Sequence, residues 1–450
     1  MNDLLNNLNS WAWGPVTIIL LVGTGIFLTF LVGGIQVRWF IYAFRLIMGK
    51  FDNPDDQGEI THFQALSSAL SATIGTGNIA GVGTAIALGG PGALFWMWVT
   101  AFFGMALKYG ECLLSLKYRE IHPDKSVSAG PMYYLEKGLG QKWLGLLFAF
   151  FAAVASFGIG NMVQANSVAE PVATYFGVPK IVTGIIIGLL VFAVIIGGIK
   201  RIGQVASKLV PIMSVFYIVG SLAVILMNFS GIPAAFMMIF KDAFTGTAAT
   251  GGFAGAAVLQ AIRFGVARGV FSNEAGLGSA PIAHGAAQTN EPVREGLVAM
   301  LGPFIDTIVI CSMTGLVIIL TGAYTSGMTG AGLTAEAFNM GLPVIGGYIV
   351  AIGIMFFAFS TAISWSYYGD RAVEYLFGPR LILPYRILYC ILLPVGASIQ
   401  LSLVWTISDI TNALMAWPNL IGLIFLSPVI LKTTREYFSD PKRVYPFKSS

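Results

Sequence analysis

Ser71–Ile86 reads SATIGTGNIAGVGTAI, and it lies where the chain otherwise reads as a membrane-crossing helix. Its sixteen positions hold four glycines (Gly75, Gly77, Gly81, Gly83), three threonines and Asn78. Glycine costs about 1 kcal/mol per residue relative to alanine in a helix interior. Weak helix formers in mid-span mark one of two things. Either neighbouring helices approach closely over small residues, or the helix is meant to break.

The surroundings establish that this is a span. Of the 450 residues, 56% are hydrophobic and 10% charged, against roughly 25% charged in soluble domains. Apolar runs near twenty residues recur from end to end, each long enough for a hydrocarbon core of about 30 Å. Backbone groups in such runs are satisfied only within helices, and the alternating short strands of a barrel are absent. Eleven helices are expected, at 13–35, 62–88, 91–118, 143–170, 180–199, 204–228, 253–285, 296–322, 344–375, 381–400 and 404–431. The first follows no basic leader and no cleavage site, so it reads as a retained helix. Cys112, Cys311 and Cys390 fall inside apolar runs and read as packing residues.

Orientation follows from lysine and arginine. With the N-terminus outside, 20 of these residues border inside loops, only Lys180 and Lys241 lie outside, and Lys108, Arg263 and Arg268 sit within spans. This is a strong positive-inside bias. The C-terminal tail, with Lys442, Arg443 and Lys448, then lies inside. The segment GLTAEAFNMGLP, in a loop without basic residues at 323–343, reads as a short external helix.

Two chemistries are excluded by context. Gly75, Gly77 and Ala80 match G-x-G-x-x-A, but a dinucleotide site needs a preceding strand and an acidic residue about 20 positions on. Here a helical run precedes the motif and the next carboxylate is Glu111. The histidines (His62, His122, His284) lie at helix ends without metal-ligand spacing, and no nucleophile motif is present. The chain is not expected to be an enzyme, and no nucleic-acid partner is expected.

Breaking a span leaves two half-helices whose exposed N–H ends attract an anionic group and whose exposed C=O ends attract a cation. In an inverted-repeat transporter, a second break belongs at the corresponding place in the other half. Setting the first helix aside leaves ten, and the sixth of those is 253–285. It contains FGVARGVFSNEAGLGSAPIAH, with Gly269, Gly276, Gly278 and Pro281, the second most interrupted apolar run in the chain. The expected fold is therefore all-α and polytopic. It has one extra helix (1–61), a first inverted repeat (62–228), an external linker (229–252), a second repeat (253–431) and a tail (432–450), with the first and sixth core helices discontinuous.

Immediately after the opening stretch comes GGPGALFWMWVTAFFG, Gly89–Gly104. With GTGNIAGVGTAI, RGVFSNEAGLGSAP and FSTAISWSYYGDRA, it closely resembles the alanine or glycine:cation symporter family over nearly the whole chain. The core also resembles the neurotransmitter:sodium symporters. The resemblance implies uptake of alanine or glycine with sodium, less often with protons. It sets the Thr76 and Gly77 N–H groups and the Asn78 side chain at the substrate carboxylate. Thr73 and Gly75 carbonyls then face the amine, and Phe271, Ser272 and Gly276 line the pocket, with Phe271 as a lid. Gln164 touches the substrate or bonds between helices. Trp365 closes the pocket against side chains larger than methyl or simply packs. Ser71, Ile74 and Phe357 carbonyls with Ser360 and Thr361 hydroxyls form a five-oxygen sodium cage.

The embedded charges complete the expectations. Lys108 and Glu111 read as a local i, i+3 ion pair. Arg268, Glu274 and Asp306 read as gate or scaffold partners, Asp306 or Glu274 alternatively as a coupling proton site. The resulting function is a sodium-driven symporter of small neutral amino acids. A proton-coupled transporter of the same fold is the nearest alternative and an ion channel a more distant one. No cofactor is expected beyond Na+ as coupling ion, the partners are substrate and lipid bilayer, and a monomer suffices for transport.

Overall fold

The computed structural model describes residues 2–245, 254–399 and 402–444. The expected span ends at 253 and 400, the linker from 246, and the tail beyond 444 with Lys448 lie outside the described residues. A short leading helix, Asn2–Ala12, precedes α1 (Pro15–Leu31). Next, Thr61 opens α2 (His62–Thr73) with a capping box: its hydroxyl accepts from Gln64 N–H while the Gln64 side chain accepts from Thr61 N–H.

That helix stops at Ile74, whose ψ of 89° turns the chain out of helical geometry. A π turn over Gly77–Gly81 leads into α3 (Val82–Gly89). Then come α4 (Gly92–Tyr118), α5 (Lys142–Phe176, with a π turn at Gly158–Met162), α6 (Lys180–Ile195) and α7 (Gly198–Met227). The expected linker is not plain loop, because α8 (Ile232–Thr245) packs on α4.

The second broken span consists of α9 (Ala254–Asn273) and α10 (Ala280–His284). Between them Glu274, Gly276 and Gly278 take φ of +56°, +85° and +82°. A left-handed glutamate is disfavoured by about 1–2 kcal/mol, so the surroundings must hold it. A Cβ on Gly276 would lie 2.5 Å from Leu21 Cδ2, so glycine is needed there for both conformation and space.

The chain continues through α11 (Pro292–Thr321, with a π turn at Phe304–Cys311), α12 (Gly330–Gly341), α13 (Gly346–Phe377) and α14 (Ile382–Ser398). Last come α15 (Ser402–Phe425) and α16 (Ser427–Ser439), which meet at a 58° bend. The run expected as one helix, 404–431, is therefore broken at Leu426, between Phe425 and Ser427.

Seven described helices are long and apolar enough to cross a bilayer, or eight if the bent pair is one span. The first broken span and the 16-residue α6 fall outside that count because neither offers an uninterrupted apolar helix of sufficient length. The interior belongs to α4, 83% of whose apolar window is buried, against 28% for the span containing α14.

At one end of the bundle the two broken spans are tied together. Ile60 and Ala287 form a parallel β-bridge, and Arg119 donates to the carbonyls of Gly285, Ala287, Gln57 and Thr289. Beneath this, Glu295 of α11 accepts from His62 on one carboxylate oxygen and pairs with His284 at 2.5 Å on the other. All three are at most 1% exposed. Nothing in their spacing along the chain announces this cluster, since His62 and Glu295 stand 233 residues apart.

Candidate functional site at the two helix breaks

The two breaks face each other across a small cavity. Ala72, Thr73, Gly75, Thr76 and Gly77 line it from the first break, and Phe271 and Glu274 from the second. Ile159 and Gln164 of α5 and Thr361 and Trp365 of α13 complete the wall. The glycines of the opening stretch serve close approach as well as interruption. A Cβ on Gly75 would lie 2.5 Å from Thr361 Oγ1, and one on Gly77 would lie 3.1 Å from Ser272 Cα.

Gln164 is the polar side chain best placed to meet a ligand. Its Nε2 donates to the Ile159 carbonyl at 2.9 Å and to Thr76 Oγ1 at 3.3 Å. Its Oε1 is buried with no hydrogen-bond partner and lies 3.7 Å from where a Gly75 Cβ would be. An unsatisfied buried acceptor costs about 1–3 kcal/mol, so the site is suited to a ligand that brings a donor.

Asn78 and Ser272 stand one layer behind the cavity rather than on its wall. Asn78 Oδ1 accepts the Gly75 N–H at 2.8 Å, and its Nδ2 donates to Asp306 Oδ1 at 2.6 Å. The other Asp306 oxygen accepts from Ser272 at 2.9 Å and Thr307 at 2.7 Å. Asp306 thus clasps both broken spans. Cys311, expected only to pack, touches the same group, its Sγ 3.4 Å from Asn78 Nδ2 and 3.3 Å from Ser272 Oγ. Gly276 lies away from the cavity: its carbonyl accepts from Asn419 at 2.9 Å among Leu21, Leu107 and Leu420.

Four of the five expected cation-cage positions meet between α2 and α13. Ser360 donates to the carbonyls of Phe357 (2.9 Å) and Ser71 (3.2 Å), and Thr361 donates to Phe357 at 2.9 Å. Ser71 Oγ returns a bond to the Ser360 carbonyl at 2.8 Å. A hydroxyl whose proton is held by a helix carbonyl keeps its lone pairs for a cation, and neutral oxygens of this kind suit a small hard ion. Ile74, the fifth, is buried at the break itself.

The charged groups are arranged otherwise than expected. Arg268, Glu274 and Asp306 do not pair with one another. Because α9 stays helical through Asn273, Arg268 lies more than a turn away, and it pairs with Asp409 of α15 at 3.4 Å. Its guanidinium sits 5.4 Å from the centroid of Phe271, which stacks on Trp405. Glu274 instead accepts from Trp365 Nε1 at 2.9 Å and from Ser279 at 2.5 Å. The expected Lys108–Glu111 pair is also replaced. Glu111 accepts from Asn419 at 2.5 Å, and Lys108 Nζ is buried without a hydrogen-bond partner.

Ile159, Ala72, Asp409 and Glu295 were not anticipated. For Ile159 a signal existed: GIGN at Gly158–Asn161 echoes GTGN at Gly75–Asn78 and forms the π turn in α5. For Asp409 and Glu295 no local signal existed, because their partners come from distant helices.

These helices, breaks and clasps define a multi-pass helical membrane transporter. In fold the chain is similar to a Na+-coupled sialic acid symporter solved in a substrate-bound outward-open state, with a TM-score of 0.52 at 12% identity over 92% of this chain and 87% of that one. Residues 1–446 match the model of the sodium:alanine symporter family, and the chain belongs to that family. It is 51% identical to the sodium/alanine symporter AgcS of Methanococcus maripaludis, over 97% of each chain. It is 37% identical to a putative sodium/proton-dependent alanine carrier, YrbD, of Bacillus subtilis, over 98% of this chain and 94% of the other. The family is one of symporters rather than enzymes.

Proposed function

We propose that the protein takes up a small neutral amino acid, alanine or glycine, driven by inward sodium flow. The unpartnered Gln164 acceptor in a cavity walled by both helix breaks is the observation that carries this reading. The α-ammonium donates to Gln164 Oε1 and the Thr73 and Gly75 carbonyls. The carboxylate lies against Thr76 and Gly77 N–H at the start of the second half-helix. Sodium takes the Ser71, Ile74 and Phe357 carbonyls and the Ser360 and Thr361 hydroxyls. Thr361 also lines the substrate cavity, so each ligand stabilises the closed arrangement around the other, which is what coupling requires.

Eleven crossings in a five-plus-five inverted repeat suit the packing. Each of the first four core helices contacts its counterpart: the two broken spans, α4 with α11, α5 with α13, and α6 with α14. In this reading the N-terminus is outside and the tail cytoplasmic, and the two repeats rock against each other about the site.

The test is uptake of labelled alanine and glycine into proteoliposomes under a sodium gradient, repeated under a proton gradient alone. Accumulation above equilibrium with sodium only is the expected result, and failure of both gradients to drive accumulation would overturn symport. Asp306, a buried carboxylate with no cation among its hydrogen-bond partners, favours a second, proton-coupled reading. Accumulation under the proton gradient alone establishes that one instead.

Thr361→Ala is expected to raise the sodium concentration for half-maximal uptake about tenfold, the loss of roughly one hydrogen-bond-sized contact to a charge. Its effect on the ranking of substrates should be smaller. An unchanged sodium dependence removes Thr361 from the cage.

A further inference from the structure

The indole of Trp365 is among the largest fully buried side chains and forms one wall of the cavity. An indole at a cavity wall excludes larger side chains only if it cannot swing away, and two packing contacts, one of them braced from behind, hold this one. Gly160, in the π turn of α5, lies so close that a Cβ there would be 2.2 Å from Trp365 Cβ. Tyr389 pins that turn to α13 by donating to the Gly160 carbonyl at 2.7 Å and to the Ala362 carbonyl at 2.9 Å. Tyr368 meets the indole edge-on at a centroid distance of 5.4 Å.

The remaining hold is polar and comes from the second break. Trp365 Nε1 donates to Glu274 Oε1 at 2.9 Å, while Glu274 Oε2 accepts from Ser279 at 2.5 Å. Glu274 is the residue whose backbone takes the left-handed conformation at φ +56°, and it is 2% exposed. A non-glycine residue kept in that conformation inside a break points to a role for its side chain. Both carboxylate oxygens are engaged within the protein, so Glu274 presents the indole, rather than a free charge, to the cavity.

We infer that Glu274 is a positioning residue for substrate size: it locks the Trp365 indole as the wall that limits the side chain of the transported amino acid. This rests on the reading of the cavity as the substrate site. Wall and lock both come from the second repeat, Trp365 from α13 and Glu274 from the second break, so the hold joins two of its helices at the cavity.

The experiment is competition of glycine, alanine, valine and leucine with labelled alanine uptake in proteoliposomes, for wild type, Trp365→Leu, Glu274→Ala, Glu274→Asp and Glu274→Gln. Trp365→Leu and Glu274→Ala are expected to raise the effectiveness of valine and leucine relative to alanine by at least about tenfold, the scale on which a pocket discriminates a methylene. Glu274→Asp, a methylene too short to reach the indole, shifts the ranking in the same direction and serves if the alanine variant does not fold. Glu274→Gln keeps an oxygen for the indole N–H and restores the wild-type ranking whatever its maximal rate.

Broadening in Trp365→Leu with wild-type ranking in Glu274→Ala and Glu274→Asp overturns the lock and leaves the site intact. A ranking unchanged in all four variants overturns the site itself. A uniform rise in KM for every amino acid in Glu274→Gln as well as Glu274→Ala overturns the lock in favour of direct contact with the substrate ammonium.

Discussion

Replacing Asn78 by alanine is expected to reduce uptake at least about a hundredfold, the scale on which a misplacement near 1 Å at a binding centre acts. The reason is its double engagement. One end of the amide holds the Gly75 N–H at 2.8 Å and so shapes the first break, while the other holds Asp306 at 2.6 Å. Alanine frees the break and strips a fully buried carboxylate of a close donor, a loss of roughly 1.5–3 kcal/mol for a hydrogen bond to a charged group.

Asn78→Asp should be at least as severe at neutral pH, because two carboxylates cannot share that separation without a proton between them. Exchanging the groups in Asn78→Asp with Asp306→Asn restores one amide and one carboxylate and is expected to recover part of the uptake. Flux assays on the purified, monodisperse variants decide it. Near-normal uptake in Asn78→Ala would refute the clasp as the device that shapes the site.

The second large effect is on stability. Glu295 lies fully buried between His62 and His284 and joins the start of α2, the end of α10 and the start of α11. Removing one partner of a buried charged cluster costs about 3–5 kcal/mol, because the remaining groups stay buried and unpaired. Glu295→Ala should therefore lower the thermal unfolding midpoint in detergent markedly. Glu295→Gln, which keeps one acceptor, should lower it less. Equal midpoints for wild type and Glu295→Ala would show that the cluster holds nothing together.

Much of this protein was legible before any coordinates. Its composition required a helical membrane protein, because unsatisfied backbone groups are not tolerated in lipid. The glycines around Asn78 and those after Asn273 marked both breaks, because local backbone cost is written in local residue types. Pro428 does signal the bend at Leu426, but the run remains apolar through it and so reads as one span.

What the sequence by itself determined is therefore the medium, the secondary structure, the two breaks and, through family likeness, the class of cargo. Tertiary structure alone decided which polar groups meet. Asn78 faces Asp306 rather than the cavity, Arg268 finds Asp409 rather than Glu274, and Glu274 finds Trp365, 91 residues away. A buried polar side chain must be satisfied by whatever partner the packing brings within about 3 Å. Pairings between helices so far apart in the chain leave no periodicity or spacing by which one strand of sequence could announce them.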